Sequence, residues 1–372
     1  MTKSILDTGI KQVKNVGGFN FGPGALDELR SHIDRRRTRA EGVNRKVIYF
    51  VDEFFSNRTE VLSRLGALPE DRIEFVTTAH EPETESIDNR ILELRNAGFE
   101  KPLTIVALGG GITLDTAKAA ANLLTNGGRA EQYQGWDLVK VPGIHKIGIP
   151  TISGTGAEAT RTCVMTNTRS GLKLGMNSDY TVFDHLILDP NLTATVPRNQ
   201  YFYTGMDAYI HCIESSAGSY RNAIGDAYSR ETINLCRQVF LADDMMSPES
   251  RERLMVASYL GGCAIAASYV GVVPPLSAGL SVVLGLHHCV ANCIVMRAME
   301  EFYPAARDEF QAMAERQGVT IPQGICHDLD DKQFQALYEA TVIHEKPLTN
   351  ALGEGFRKIL TFEKVTSLFK RM

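Results

Sequence analysis

An aspartate and a histidine stand four residues apart in "GMDAYIHCIES", residues 205–215, within a run of helical character. On a helix, positions i and i+4 share a face about one turn apart. Asp207 and His211 can therefore reach one ion, and a carboxylate with an imidazole is a donor set that divalent metals accept. The same spacing also fits an aspartate that caps or pairs locally beside a hydrogen-bonded core histidine. The pair alone leaves both readings open, and the rest of the chain has to decide.

Two glycine-bearing loops offer a second chemistry. The run "LTIVAL" leads into Gly109, Gly110 and Gly111 and then into "ITLDTAKAAANLL", a good helix. Glycines there let backbone approach a phosphate, and a helix start supplies free N–H groups and a favourable dipole. The loop does not match G-x-G-x-x-G, and a glycine turn of this kind also serves packing alone. A second loop, "PTISGTGAEAT" from Pro150, again follows a strand pattern and gathers Thr151, Ser153, Thr155 and two glycines. Asp52 closes "KVIYFVD" and could accept hydrogen bonds from a ribose diol, or simply end a strand. Arg161 follows the second loop closely, where its guanidinium could clamp a substrate carboxylate or form an ordinary ion pair.

The elements that must position these residues differ between the two halves. From residue 45 to 150, short β-branched runs ("KVIYFVD", "RIEFV", "LTIVAL", "KIGIPT") alternate with helical patterns, including Glu83 to Ala97, with Ile87, Ile91 and Leu94 on one face. Such alternation predicts a parallel sheet with covering helices. Beyond "LILDPNLTATVP" the β-rich runs cease and helix-compatible sequence continues to Met372. Asp-Pro and Val-Pro interrupt the pattern between Asp189 and Pro197, so the expected domains are 1–190, α/β, and 191–372, helical. Ligands of open α/β sheets bind outside the carboxyl ends of the strands, which places the expected cleft between the halves.

At 372 residues the chain is long enough for two domains with buried interiors. Its 39 Lys+Arg against 44 Asp+Glu give a net charge of -5 with no extended basic tract, which argues against a nucleic-acid partner. Seven scattered cysteines and the absence of a signal-like start in "MTKSILDTGIKQVKN" point to the cytoplasm. Leu254 to Met296 lacks Asp, Glu, Lys and Arg, yet it is rich in Gly, Ala and Ser and is broken by Pro274 and Pro275. Buried helices around a site explain it better than a membrane span.

The succession "FGPGAL", "GGGITLDTAK", "PTISGTGAEAT", "LDPNLTATVP" and "GMDAYIHCIES" resembles the iron-containing (group III) alcohol dehydrogenases of the dehydroquinate synthase-like fold. The resemblance covers roughly residues 12 to 300. It implies an α/β N-terminal dinucleotide-binding domain, an all-α C-terminal metal-binding domain, NAD, and a divalent metal such as iron or zinc. By the same resemblance, Asp52 sits on the adenosine ribose, Gly109 to Gly111 with Asp115 lie at the phosphates, and Thr151, Ser153, Thr155 and Lys173 line the nicotinamide half. The implied metal ligands are Asp207, His211 and His288, with a fourth fourteen residues before His288. That position is Pro274, which has no donor side chain, and a second family histidine is replaced by Ala278. His287 is the sequence's nearest substitute.

A narrower resemblance, carried by "RNQYFYTGMDAYIHCIES", "DDMMS", "YLGGCAIAASYVGVV" and "LSAGLSVVLGLHHC", is to the 3-deoxy-manno-octulosonate (Kdo) 8-oxidase branch of that family. It implies oxidation of the C8 primary alcohol of this sugar acid to an aldehyde, on the way to 8-amino-Kdo and lipopolysaccharide, by a chain compatible with a homodimer. Three alternatives remain: a generic NAD-dependent alcohol dehydrogenase of the same family, a lyase of the dehydroquinate synthase type, and a metal-deficient, non-catalytic sugar-acid binding protein. The lyase would need Lys and Arg for a phosphate, which Leu254 to Met296 does not offer.

Overall fold

The β-branched runs of the first half form strands, in the order that the alternation with helices dictates. A computed structural model describes residues 13–40 and 44–372. Residues 1–12, on which most of the leader reading rests, lie outside the described residues. The strands are β1 (Phe19–Phe21), β2 (Val47–Asp52), β3 (Arg72–Val76), β4 (Thr104–Gly109), β5 (Gly135–Trp136), β6 (Lys146–Pro150), β7 (Thr162–Asn167), β8 (Leu172–Asn177) and β9 (His185–Leu188). Six of them make a parallel sheet in the order β1-β9-β6-β4-β2-β3. Its inner strands β4 and β6 are buried along their whole length, as continuous apolar runs in a covered parallel sheet must be.

Helices α1 (Glu28–Arg39), α2 (Thr59–Arg64), α3 (Thr84–Asn96) and α4 (Gly111–Asn126) accompany this sheet. Ile87, Ile91 and Leu94 form the buried face of α3 that their spacing predicts. A smaller sheet, β5-β8-β7, joins the antiparallel hairpin β7–β8 to the short β5. Two polar side chains of α4 pin β7. Lys118 Nζ donates to Thr160 O, Thr160 Oγ1 and Thr162 O, at 3.0, 3.2 and 2.8 Å, and Asp115 Oδ2 accepts from Val164 N at 2.9 Å.

Helical sequence fills the second half: α5 (Arg198–Ala217), α6 (Ala223–Phe240), α7 (Pro248–Ser268), α8 (Val273–Leu284), α9 (His288–Arg297), α10 (Pro304–Gln317), α11 (Asp331–Val342), α12 (Glu345–Leu352), α13 (Phe356–Ile359) and α14 (Phe362–Phe369). Tyr201, Phe202, Tyr209, Phe240 and Phe310 centre their core, with the Phe202 and Phe240 rings edge to face at 5.3 Å. Pro248 and the prolines at 274 and 275 sit in first helical turns, where the missing N–H costs nothing. Among the described residues no single helix is long and apolar enough to cross a membrane. The charge-free stretch folds as α7 and α8, bent by 106°, with most of their residues buried.

Contacts divide the chain into a unit of residues 14–152 and 157–195 and a unit containing 153–156 and 196–372. The change at 195/196 falls within the interruption between Asp189 and Pro197, and the short segment Ser153–Gly156 groups with the helices. Gly154 accounts for that grouping. It has φ +144, its N–H donates to Ser258 Oγ at 2.8 Å, and a Cβ on it would lie 1.6 Å from Thr204 O of α5.

Candidate metal centre

Asp207 and His211 occupy the middle of α5, a 20-residue helix whose central residues are almost all buried. The helix is seated by close approach at Gly205, where a Cβ would meet the Phe240 ring at 2.5 Å. Asp207 is fully buried and His211 is 5% exposed. The third residue arrives from another element. Gly285, in the left-handed region at φ 69, ends α8, and α9 then begins at His288, so this imidazole projects from a first helical turn.

The three side chains converge. His211 Nε2 lies 3.4 Å from Asp207 Oδ1, and His288 Nε2 lies 3.8 Å from Asp207 Oδ2. One donor atom from each of the three falls within 4.8 Å of the others. Donors held at about 2.1 Å around a tetrahedral ion stand roughly 3.4 Å apart. The set therefore fits one divalent ion in spacing and in chemistry, with one carboxylate and two imidazoles. His211 Nδ1 is buried without a hydrogen-bond partner.

Pro274 lies in the first turn of α8 and Ala278 one turn later, so neither supplies a donor. His287 does not substitute for them. It is exposed at the residue before α9 and is not among the converging side chains. The sequence reading missed Asn292, which sits one turn after His288 on the same helix, fully buried. Its Nδ2 donates to Asp207 Oδ1 and stands 3.1 Å from His288 Nε2. The available signal was its i+4 spacing from His288, the spacing that singled out Asp207 and His211. Cys289 is also close, with Sγ 3.8 Å from Asp207 Oδ2.

Glu214 continues the face of α5, one turn beyond His211. Its carboxylate accepts from Gly271 N at 3.0 Å and Val273 N at 2.7 Å, capping α8. Burial pushes this carboxyl up to about 7, against the opposing hydrogen bonds from Val273, Gly271 and the Tyr303 hydroxyl. The metal-bearing helix and the helix carrying Pro274 are thus fastened together.

In the sheet unit, Asp52, Gly109 and Gly110 come together at the carboxyl ends of β2 and β4. Asp52 Oδ1 accepts from Phe54 N at 3.0 Å. Burial raises its carboxyl above the ordinary value, against hydrogen bonds from Phe54 and Gly110. A Cβ on Gly109 would lie 2.6 Å from the Thr113 side chain and 3.0 Å from Asp52, and one on Gly110 2.9 Å from Ile152. Close packing therefore requires these two glycines. Gly111 opens α4, whose N-cap Gly110 provides no side-chain cap, and Thr113 Oγ1 in that first turn is buried without a partner. An uncapped helix start with an unmet hydroxyl beside a carboxylate suits a dinucleotide's phosphates and ribose.

The other expected cofactor residues are distributed differently. Thr151 N donates to Gly109 O at 3.1 Å, extending the β4–β6 edge, while Ser153 and Thr155 belong to the segment grouped with the helices. Asp115 is engaged by β7, and burial pushes its carboxyl up to about 6. Lys173 pairs with Glu81 at 3.1 Å. Arg161 requires a correction. Its Nε donates to Asp179 Oδ1 at 3.0 Å and its Nη2 to Asp137 Oδ1 at 2.5 Å, and the residue is 8% exposed. Two carboxylates of the chain itself occupy the fork that was expected to clamp a substrate.

The iron-containing alcohol dehydrogenase family model matches residues 18–190, and the C-terminal model of the Fe-containing alcohol dehydrogenase family matches residues 201–340. The sulfoacetaldehyde reductase of Bilophila wadsworthia (strain 3_1_6) is 34% identical over 215 residues, 57% of this chain and 54% of that protein. The NAD-dependent methanol dehydrogenase of Bacillus methanolicus is 30% identical over 223 residues, 58% of each chain. The chain thus spans about half the length of the curated relatives it matches. A crystal structure of 1,3-propanediol oxidoreductase superposes with a TM-score of 0.81 at 20% identity, covering 97% of this chain and 99% of that one, which shows a shared fold. With both family models together matching most of its length, the chain belongs to the iron-containing alcohol dehydrogenase family.

Proposed function

We propose that this protein is a metal-dependent oxidoreductase that moves a hydride between a primary alcohol and NAD. The observation that carries the reading is the convergence of Asp207 and His211, both buried, with the half-buried His288. When bound, a divalent ion of the iron or zinc type would polarise the substrate oxygen as a Lewis acid, and NAD would accept the hydride. Asp207 would supply the negative charge for such an ion, and the imidazoles of His211 and His288 would be its other donors. The burial of Asp207 and His211 would limit the access of water to an ion held there. Asp52 would hold the ribose hydroxyls and repel a 2′-phosphate, which favours NAD over NADP. The first turn of α4 would receive the pyrophosphate on its N–H groups.

For the substrate we infer the C8 primary alcohol of Kdo, on the sequence likeness to that branch of the family. Its carboxylate must then be met by a group other than Arg161. The seven cysteines are buried and none is in a disulfide, as suits a reducing cytoplasm, and the chain is compatible with a homodimer. Pro274 favours one competing reading, a binding protein without turnover. Metal-loaded protein with NAD, offered Kdo and a series of simple primary alcohols, separates these possibilities. Reduction of NAD with Kdo at a far higher kcat/KM than with simple alcohols supports the assignment. Equal rates across the series reduce it to a generic alcohol dehydrogenase, and sugar-acid binding without reduction of NAD refutes the enzyme.

A further inference from the structure

Asn292 stands where a metal ligand would stand, yet it is turned the wrong way to be one. Its NH2 group donates to Asp207 Oδ1 and approaches His288 Nε2 at 3.1 Å, so it occupies two lone pairs that an ion at this site requires. Its Oδ1 is buried and has no hydrogen-bond partner. The two ends of a carboxamide exchange places by half a turn about the Cβ–Cγ bond, with no change in the space filled. That turn would bring the unpartnered oxygen to face Asp207 and His288. Oxygen against a bare carboxylate is repulsive; with a cation between them it is a bond. The amide oxygen is a hard, neutral donor of the kind that divalent ions accept from asparagine.

We propose that Asn292 is the fourth protein donor of this centre, taking the part that Pro274 cannot play, and that its carboxamide turns over when the ion enters. In the metal-free protein the NH2 end holds Asp207 and His288 in place. In the loaded protein Oδ1 completes the ligand set from the same helix as His288. The inference rests on Asp207, His211 and His288 being the other ligands.

Cobalt(II) titration of the full chain against a competing chelator, with the visible spectrum recorded, tests it. Asn292→Ala should raise the Kd roughly 10–100-fold, the range found for losing a supporting group at a metal site. Asn292→Asp, which keeps an oxygen in place, should bind at least as tightly as the unaltered protein. A crystal structure of the cobalt-loaded chain should place Asn292 Oδ1 at about 2.0–2.6 Å from the ion. Tighter binding by Asn292→Ala would show that the amide only blocks the site, and a thiolate-to-cobalt charge-transfer band would give the place to Cys289. Either result overturns the proposal, as does an Asn292 amide more than about 3 Å from the bound ion. If Asn292→Ala does not fold, the distance in the loaded unaltered protein decides alone. Undiminished cobalt binding in His288→Ala would instead overturn the three-ligand reading on which this one rests.

Discussion

Replacing Glu214 with glutamine should remove one fall of this protein's stability with rising pH. The carboxyl is fully buried, caps α8 through Gly271 N and Val273 N, and is raised from an ordinary value of 4.5 to about 7, chiefly by burial. Because the folded state holds the proton to higher pH than the unfolded chain does, stability is highest below the unfolded value, falls as pH rises between the two, and is level above 7. A shift of this size corresponds to about 3 kcal/mol at 1.36 kcal/mol per unit. Glutamine does not titrate. It leaves one backbone N–H facing an amide NH2, a constant cost of about 1–3 kcal/mol. Relative to the unaltered protein, Glu214→Gln should therefore be less stable at pH 5 and should gain about 3 kcal/mol by pH 8. For a unit of this size that is roughly 6–12 °C in the difference between the two melting temperatures. Thermal unfolding of both proteins at half-unit steps from pH 5 to 8 reads it directly. A difference that stays flat across that range would show that Glu214 is ionised throughout and that its three donors outweigh its burial.

Other perturbations test other parts of the account. Gly154→Ala places a methyl 1.6 Å from Thr204 O at φ +144, so the segment must leave α5, and thermal unfolding should register a loss of about 3–5 kcal/mol. An unchanged melting temperature would mean that the segment does not pack there. Asp52→Gly should relax the preference for NAD over NADP in calorimetry, and equal affinity of the unaltered protein for both would remove the basis of that reading. Arg161→Lys should leave KM for the sugar acid unchanged and lower the melting temperature, because lysine cannot hold Asp137 and Asp179 with one planar fork. A marked rise in KM with unchanged stability would restore the substrate clamp.

What could be read in advance follows the physics of each residue. β2, β4 and β6 are legible because covered parallel strands are largely apolar runs, β3 by its β-branched and aromatic residues, and α3 because Ile87, Ile91 and Leu94 repeat at helical spacing. The hairpin β7–β8 was not anticipated. Its sequence mixes Thr, Lys and Gly among apolar residues, and its partners are Lys118 and Asp115, which the linear order separates from it by more than forty residues. Arg161 was left between a substrate clamp and an ion pair for a related reason: nothing in the neighbouring sequence shows that Asp137 and Asp179 close on it. The three converging side chains were legible through their motif. Asn292 was not, since its i+4 spacing from His288 gains a meaning only once α9 meets α5.

The central claim is that Asp207, His211 and His288 hold one divalent ion on which alcohol oxidation depends. The most direct measurement is the metal content of the full chain purified without oxygen, alongside His288→Ala and Pro274→His, with turnover assayed on the same samples. The account predicts an ion that binds at no more than one per chain and is abolished together with activity in His288→Ala. Pro274→His should hold it more tightly. Turnover that persists in metal-free protein, or metal content untouched by His288→Ala, would contradict the account and leave the three side chains a structural cluster.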